Sequence, residues 1–295
     1  MGRAERRELL AGYLFAMPWL IGIVLFTAGP VIFSFIISFT DWDLLNPPHW
    51  IGWANYATLV HEDPLFWKSI RVSAIYTLFS VPLGMAFALA VALALNMNLP
   101  GQSVMRTIYY LPSILSGVAV ALLWQWIFNA EFGLINVLLR KIGLPAPGWL
   151  TSEQWALPAL IIMSLWGIGG TMIIYLAGLQ GIPPHLYEAA RIDGANLLQM
   201  FRNITLPMLS PVLFFTLIMG IIGSFQVFTQ AYVMTNGGPA HATLFFVLYL
   251  YRNAFEWLKM GYASALAWLL FIIILLLTLI NFYMSRYWVH YDDAG

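Results

Sequence analysis

The chain has 295 residues, of which 61% are hydrophobic and 9% are charged, and its formal net charge at pH 7 is zero. An ordinary soluble domain carries about 25% charged residues, so this composition indicates a membrane protein with several spans. The balanced charge provides no basic surface of the kind that nucleic-acid binding requires. The absence of cysteine excludes disulfides and thiolate chemistry.

The first apolar run extends from about residue 9 to residue 39 and follows Arg3, Arg6 and Arg7. It is too long for the core of a signal peptide, so we expect a retained first span with its N-terminus in the cytoplasm. Five more apolar segments are long enough to cross about 30 Å of hydrocarbon at 1.5 Å per residue. They cover approximately residues 72–95, 108–128, 155–179, 208–233 and 264–283.

These segments predict an all-α integral membrane protein with six transmembrane helices and both termini in the cytoplasm. We expect one polytopic domain over residues 1–295, with a core at about residues 68–285. A short turn containing Asn98 would join the second and third spans, and residues 235–262 would form a long outer segment before the sixth. The tail contains Asp292 and Asp293.

The longest polar interruption in the C-terminal half is Tyr187–Pro207, between the fourth and fifth predicted spans. Pro183–Pro184 suits the first turn of a helix, and Gly194 can end that helix by adopting a positive φ. Asn196 and Gln199 have the spacing of a capping box that starts a second helix. An apolar stripe on that helix would comprise Leu197, Leu198, Phe201 and Ile204. The pattern alone fits both a protein groove and a lipid surface.

The order of residues in this stretch resembles the EAA loop in permease subunits of binding-protein-dependent ABC importers. The residues that carry the resemblance are Glu188, Ala189, Ala190, Asp193, Gly194, Ala195, Phe201 and Pro207. In that family the loop is a cytoplasmic coupling helix that inserts into a cleft of the ATP-binding subunit. The resemblance implies that Glu188 provides charge pairing or capping, Gly194 the bend and Pro207 a rigid exit. Residues 187–207 are therefore named the EAA-like loop.

Other segments, in the same order, resemble the sugar-uptake branch of this family, of the maltose and glycerol-phosphate type. They are residues 51–56, 106–112, 124–136, 235–239 and 261–265. The resemblance implies a bacterial or archaeal plasma membrane, a second permease subunit, two ATP-binding subunits, an extracytoplasmic solute-binding protein and a sugar or polyol substrate. ATP and Mg would be bound by the partner subunits, and this chain would bind no cofactor.

The substrate path is predicted from neutral polar residues inside the spans, because no Asp, Glu, Lys or Arg interrupts a span away from its ends. The candidates are Asn129, Ser164, Thr171, Ser224, Gln226, Thr229 and Gln230. Such a path suits an uncharged sugar or polyol. In the maltose relatives the sugar site lies on the spans that flank the EAA loop. The positions that match it are Gly167, Gly170, Gly220, Gly223, Ser224 and Val227, with Gln226 as a neighbour, and Ser224 is the best single candidate.

Glycines within the spans have helix packing as their default explanation. They are Gly84, Gly167, Gly169, Gly170 and Gly178. The turn formers at residues 235–239 have two interpretations, namely a simple chain reversal or a docking surface for the solute-binding protein.

Enzymatic chemistry is not predicted, because the sequence contains neither GxxxxGK[ST] nor HExxH and assembles no nucleophile with a base and an orienting group. We therefore predict no catalytic residue and no metal ligand, and ATP hydrolysis would belong to a partner. Two alternatives remain open. A secondary transporter acting without an ATPase would show internal repeats and intramembrane ionisable residues, and a membrane enzyme or scaffold would show catalytic groups at one depth.

Overall fold

The computed structural model describes residues 2–97 and 100–290. Over those residues the chain is helical, with no β-strand and a single isolated bridge between Thr40 and Trp50. The predicted all-α class is therefore confirmed. The predicted turn residue Asn98 and the tail residues Asp292 and Asp293 lie outside the described residues.

The α-helices follow one another along the whole described chain. In order they are α1 (Arg3–Ile23), α2 (Gly29–Ile37), α3 (Ala54–His61), α4 (Pro64–Asn96), α5 (Gln102–Tyr110), α6 (Gly117–Ile127), α7 (Leu134–Lys141), α8 (Ala156–Ser164), α9 (Gly169–Gln180), α10 (Pro184–Ile192), α11 (Leu197–Met200), α12 (Leu206–Phe225), α13 (Phe246–Tyr251) and α14 (Met260–Ser285). Shorter 3₁₀ or π turns cover Val24–Ala28, Leu111–Ile114, Leu165–Gly167, Phe201–Thr205, Ala231–Thr235 and Arg252–Glu256.

Four continuous helical stretches are long and apolar enough to cross a membrane. They are Ala11–Ile37, Pro64–Asn96, Leu197–Phe225 and Met260–Ser285. Two more candidates are bent pairs. The first pair is Gln102–Ile114 and Gly117–Ile127, with a bend of 103° between the two helices. The second is Ala156–Gly167 and Gly169–Gln180, with a bend of 46°. By length and composition, residues 2–97 and 100–290 therefore contain four candidate spans, or up to six if each bent pair is one span.

Three predicted spans differ from the observed helices. The third, predicted as one helix over residues 108–128, is broken because Leu115 and Ser116 have non-helical ψ values of 149° and 133°. The fourth, predicted as one helix over residues 155–179, is bent by 46° between Ala156–Gly167 and Gly169–Gln180. The fifth, predicted to continue to residue 233, ends at Phe225, and Gln226 follows it with a non-helical backbone. Apolar composition predicts none of these interruptions.

The first of two compact units comprises Met1–Asp63 and Leu250–Phe271. In this unit the buried Asn55 donates from Nδ2 to the carbonyls of Ser38 and Thr40, at 2.8 Å each. The backbone N–H of Gly261 donates to the Trp42 carbonyl at 3.0 Å. These bonds give residues 51–56 and 261–265 structural roles of their own.

The second unit comprises Pro64–Tyr249 and Ile272–Gly295. Its hydrophobic core lies where α4, α9 and the start of α12 meet, and it includes the fully buried Ala92, Tyr175 and Leu209. The segment predicted as an outer loop also contributes to this unit. Phe245 is fully buried, and the N–H of the next residue, Phe246, donates to Ser73 Oγ on α4 at 3.0 Å.

Candidate functional site

The EAA-like loop begins with α10, which ends in a left-handed glycine turn. Gly194 has a φ of +78°. Its N–H donates to the Arg191 carbonyl at 3.1 Å, while the Ala195 N–H donates to the Ala190 carbonyl at 2.9 Å. These two bonds form a Schellman motif, which satisfies carbonyls that the helix end would otherwise leave unpaired. The predicted role of Gly194 in ending this helix is confirmed.

The second half of the loop starts with the predicted capping box. Asn196 Oδ1 accepts the Gln199 N–H at 2.9 Å, and Gln199 Oε1 accepts the Asn196 N–H at 2.8 Å. From Leu197 the chain stays helical to Phe225 over 29 residues. Pro207 therefore lies inside this continuous helical stretch, two residues after the π turn Phe201–Thr205.

The base of the loop is fixed to the core of the second unit. The hydroxyls of Tyr187 and Thr205 are hydrogen-bonded at 3.0 Å, which joins α10 to the turn before α12. Leu186, Tyr187 and Ile204 pack against the core formed by α4, α9 and α12. A force on the loop would thus act directly on these three helices.

The tip of the loop has large apolar side chains that no other part of the described chain covers. Ile192 is 87% exposed, Leu197 80% and Leu198 73%. The predicted apolar stripe is therefore divided, because Phe201 and Ile204 are half-buried instead. Ile192 was not among the predicted residues, although an isoleucine next to polar Arg191 and Asp193 is a recognisable signal. Adjoining exposed apolar side chains of this kind fit a protein groove or a lipid surface.

The remaining residues of the predicted coupling set surround this tip. The exposed members are Glu188, Ala189, Asp193 and Gly194, and the half-buried members are Ala190, Ala195, Phe201 and Pro207.

A cavity of about 370 Å³ lies between α4, the break in the α8–α9 pair and the C-terminal half of α12. We name it the three-helix cavity. From α4 it is lined by Tyr76, Ser80, Val81, Gly84 and Met85. From the other two sides it is lined by Ser164, Gly167, Ile168, Thr171, Thr216, Gly220, Gly223, Ser224 and Val227. All of these lining side chains are neutral.

The structure brings five of the predicted path residues together at this cavity. They are Gly167, Gly220, Gly223, Ser224 and Val227. The other two, Gly170 and Gln226, do not line it. Gly170 lies in the first turn of α9, and Gln226 is an exposed residue just after α12. Ser164 and Thr171 of the wider polar set also line the cavity.

Ser224 is less available than the sequence suggested. It is 7% exposed, and its hydroxyl is hydrogen-bonded both to Thr77 Oγ1 at 2.8 Å and to the Ile221 carbonyl at 2.9 Å. A hydroxyl has one donor and two acceptor positions, so this group retains one position for a further partner.

The span glycines divide into two groups. A Cβ on Gly178 would lie 2.7 Å from Leu209 Cδ1, which is the close packing that the sequence predicted. At Gly84 and Gly167, by contrast, no atom outside the adjacent residues and the local helix backbone lies within 4 Å of the Cβ position, so packing does not explain these residues. Both line the three-helix cavity.

The contribution of α4 to the cavity was missed by the sequence analysis. Tyr76, Ser80 and Gly84 recur every fourth residue, which places them on one helix face. That spacing inside an otherwise apolar span was the available signal.

Comparison with known proteins places the chain in a family. The profile described as "Binding-protein-dependent transport system inner membrane component" matches residues 80–289. The probable ABC transporter permease protein YesP of Bacillus subtilis is 45% identical, over 99% of this chain and 95% of that protein. The trehalose/maltose transport system permease protein MalF of Thermococcus litoralis is 35% identical, over 97% of each chain.

A solved structure shows the same fold. A chain of a bacterial ABC transporter involved in the import of the acidic polysaccharide alginate aligns with a TM-score of 0.83 and 27% identity, over 97% of this chain and 99% of that chain. With the family profile covering more than half of the sequence, the chain belongs to the family of binding-protein-dependent transport system inner membrane components.

Proposed function

We propose that this chain is the transmembrane subunit of an ATP-driven importer of a sugar or polyol. It forms half of the translocation path and couples to a separate ATP-binding subunit through the EAA-like loop. Relatives named as sugar permeases, such as the trehalose/maltose protein, support the substrate class. Family membership gives no support to a secondary transporter.

In this proposal each bent helix pair forms one span, which gives six spans with both termini in the cytoplasm of a bacterium or archaeon. The EAA-like loop then lies in the cytoplasm between spans four and five. The partners are a second permease, two ATP-binding subunits that carry ATP and Mg, and an extracytoplasmic solute-binding protein.

One observation carries the coupling role: a single helix joins the loop tip to the cavity. The stretch Leu197–Phe225 begins at the exposed tip, and its far end contributes Gly220, Gly223 and Ser224 to the cavity lining. When ATP closes the nucleotide-binding dimer, the cleft that holds the tip moves. The base of the loop is fixed to the core, so this movement tilts the helix and opens the cavity outward.

The chemistry of the cavity supports a neutral substrate. A charged group transferred from water into a buried site requires a partner of opposite charge. The lining offers hydroxyls and glycine backbone but no ionisable carboxylate, amine, guanidinium or imidazole. The solved relative, in contrast, imports an acidic polysaccharide.

The test compares two leucines that are equally exposed in different loops. Leu197 is 80% exposed at the tip of the EAA-like loop, and Leu45 is 79% exposed in the loop before α3. The tagged chain is purified from its native membranes in mild detergent, its partners are identified, and ATPase activity is measured. Because a buried leucine contributes about 1.5–3 kcal/mol, L197D should lower recovery of the ATP-binding subunit about tenfold or more.

L45D should leave both recovery and ATPase activity near wild type, since its side chain is outside the coupling surface. Equal loss in the two variants would assign the effect to general instability and contradict the coupling role. Recovery of the wild-type chain alone, transporting in proteoliposomes without ATP, would contradict the importer itself.

A further inference from the structure

The α4 wall of the three-helix cavity includes Tyr76, Ser80 and Gly84, beside Val81 and Met85. Because Tyr76, Ser80 and Gly84 are spaced four residues apart, they share one helix face and extend about 12 Å along it. All three line the cavity. The helix α4 does not flank the EAA-like loop, so this wall is separate from the path residues on the flanking spans.

Gly84 lies well inside a 33-residue helix, where glycine is disfavoured relative to alanine. Packing does not compensate, because no atom lies within 4 Å of its Cβ position. Gly167 and Gly223, on the other two sides of the cavity, have the same free space. Glycine at these positions lets a ligand approach the helix backbone closely.

Two buried residues with hydroxyl groups lie N-terminal to Gly84 on the same face of α4. They are Tyr76, which is 5% exposed, and Ser80, which is 8% exposed. Ser164 of α8 lines the same cavity, and its hydroxyl donates to the Ile161 carbonyl at 2.6 Å. The Tyr76 ring is fixed by an edge contact with Phe245, with centroids 5.0 Å apart.

The hydroxyls of Tyr76, Ser80 and Ser164 are three polar groups in a mostly apolar cavity. Each hydroxyl both donates and accepts, so a polyhydroxylated ligand can exchange hydrogen bonds with these groups without leaving a buried polar atom unpaired. Pockets for small molecules have this character, with a few placed polar groups among apolar walls and volumes of about 300–1,000 Å³. The three-helix cavity, at about 370 Å³, falls within that range.

We propose that α4 forms a third wall of the substrate path and determines its specificity. Gly84 sets the width available to a sugar ring, and the hydroxyls of Tyr76, Ser80 and Ser164 bind hydroxyls of a neutral sugar. The identity of the ligand as a transported sugar rests on the proposed function, whereas the wall itself does not.

The first test uses the absence of cysteine from the natural sequence. G84C and S80C each introduce the only thiol of this subunit, and L78C is the control because Leu78 is 67% exposed on another side of α4. The assembled complex in lipid nanodiscs is treated with a permanently charged methanethiosulfonate, and labelling of this chain is followed by mass spectrometry.

A thiol reacts as the thiolate, which forms in water and not in lipid, so G84C and S80C should label about tenfold faster than L78C. The near-isosteric S80C keeps the test decisive if G84C fails to assemble. If S80C were labelled no faster than L78C, the proposal that α4 forms a wall of the substrate path would be contradicted.

The second test measures uptake of radiolabelled maltose, trehalose and lactose, using whichever of them the wild-type transporter accumulates. G84V narrows the path and should reduce uptake about tenfold, with G84A affected less. Y76F removes only a hydroxyl and should raise the KM for uptake several-fold, without changing the labelling rate of G84C. Unchanged uptake by G84V together with an unchanged KM for Y76F would overturn the specificity role.

The two proposals fail in different ways. If none of these sugars is accumulated, the proposed substrate class is wrong, and the labelling ratios still decide whether α4 lines an aqueous path. If G84C and S80C label no faster than L78C while L197D abolishes ATPase coupling, the importer proposal is supported and the α4 proposal is contradicted.

Discussion

Gly167 and Gly169 are separated by one residue, yet their surroundings are opposite. At Gly167 no atom lies within 4 Å of the Cβ position, and the residue lines the three-helix cavity. At Gly169 the same position lies 2.5 Å from the Tyr109 carbonyl oxygen and 2.7 Å from Tyr110 Cα. The first glycine keeps space free, and the second lets α9 approach α5.

A third use of glycine is conformational. Gly194 in the EAA-like loop and Gly143 after α7 have φ values of +78° and +74°, and neither has an atom within 4 Å of its Cβ position. A side chain at either site would strain the backbone without a clash. The three classes of glycine therefore differ in the effect of an added side chain. At a packed glycine it would clash with a neighbouring helix, at a cavity glycine it would reduce the space for substrate, and at a left-handed glycine it would strain the backbone.

The largest effect is expected at Gly261. A Cβ there would overlap the carbonyl of Thr40 and lie 3.1 Å from the Ile37 carbonyl oxygen. Because backbone cannot move aside as a side chain can, G261A should destabilise the first unit by about 3 kcal/mol or more. Thermal unfolding of the purified complex measures this, and G84A, which adds the same methyl group to open space, is the control. Equal melting temperatures for the two variants would contradict the distinction.

The neighbouring pair in α8–α9 gives a sharper comparison. G169A should lower the folding stability by about 1–3 kcal/mol, and the stability of G167A should stay within about 0.5 kcal/mol of that of wild type. Both variants are measured by thermal unfolding, and sugar uptake is then compared at a temperature where both are folded. We expect G167A to affect uptake more than stability and G169A to do the reverse. A stability loss in G167A as large as that in G169A would show that the cavity is not open there.

The features that the sequence predicted correctly are local. Gly194 and the Asn196–Gln199 box depend on residues within six positions of one another, and the structure contains both. Hydropathy likewise located the apolar helices. It did not report the 103° bend after Ile114, because composition measures solubility in lipid and carries no information on helix direction.

The cavity, in contrast, depends on contacts between distant segments. Thr77 and Ser224 are 147 residues apart, and their hydroxyls are hydrogen-bonded at 2.8 Å. Whether a glycine is open or packed depends on which neighbour faces it, so Gly84 and Gly178 are indistinguishable in sequence. Ser224, predicted for the substrate path, lines the cavity, but its existing hydrogen bonds could not be foreseen from the sequence.

The two glycines with a left-handed φ allow an effect on coupling to be separated from an effect on stability. G194V and G143V introduce the same side chain at nearly the same left-handed φ, so each variant should lose about 1–2 kcal/mol of folding stability. Only G194V lies in the EAA-like loop, and we expect it alone to lower sugar uptake per ATP hydrolysed. Proteoliposomes containing the full complex allow both rates to be measured together. Equal coupling ratios in the two variants would remove Gly194 from the transmission path.

The smallest effect concerns a left-handed residue that is not glycine. Leu44 has a φ of +68° and follows Asp43. One carboxylate oxygen of Asp43 accepts the Asn46 N–H at 2.8 Å and the Leu45 N–H at 3.0 Å, and the other accepts the Asn46 side-chain amide at 2.7 Å. The Asn46 backbone N–H is the main cause, with its side-chain amide next, of a pKa for Asp43 below its ordinary value of 3.8.

A carboxyl group whose pKa is lower in the folded than in the unfolded loop stabilises the fold above the unfolded pKa and loses that contribution as the pH falls through the folded pKa. We therefore expect hydrogen exchange at the Leu45 and Asn46 amides to be slower in wild type than in D43N at pH 5, with the two rates converging below the ordinary pKa of aspartate. The ratio of rates cancels the intrinsic pH dependence of exchange. A constant ratio across this range would show that the left-handed Leu44 is held by its neighbours' packing and not by the charge on Asp43.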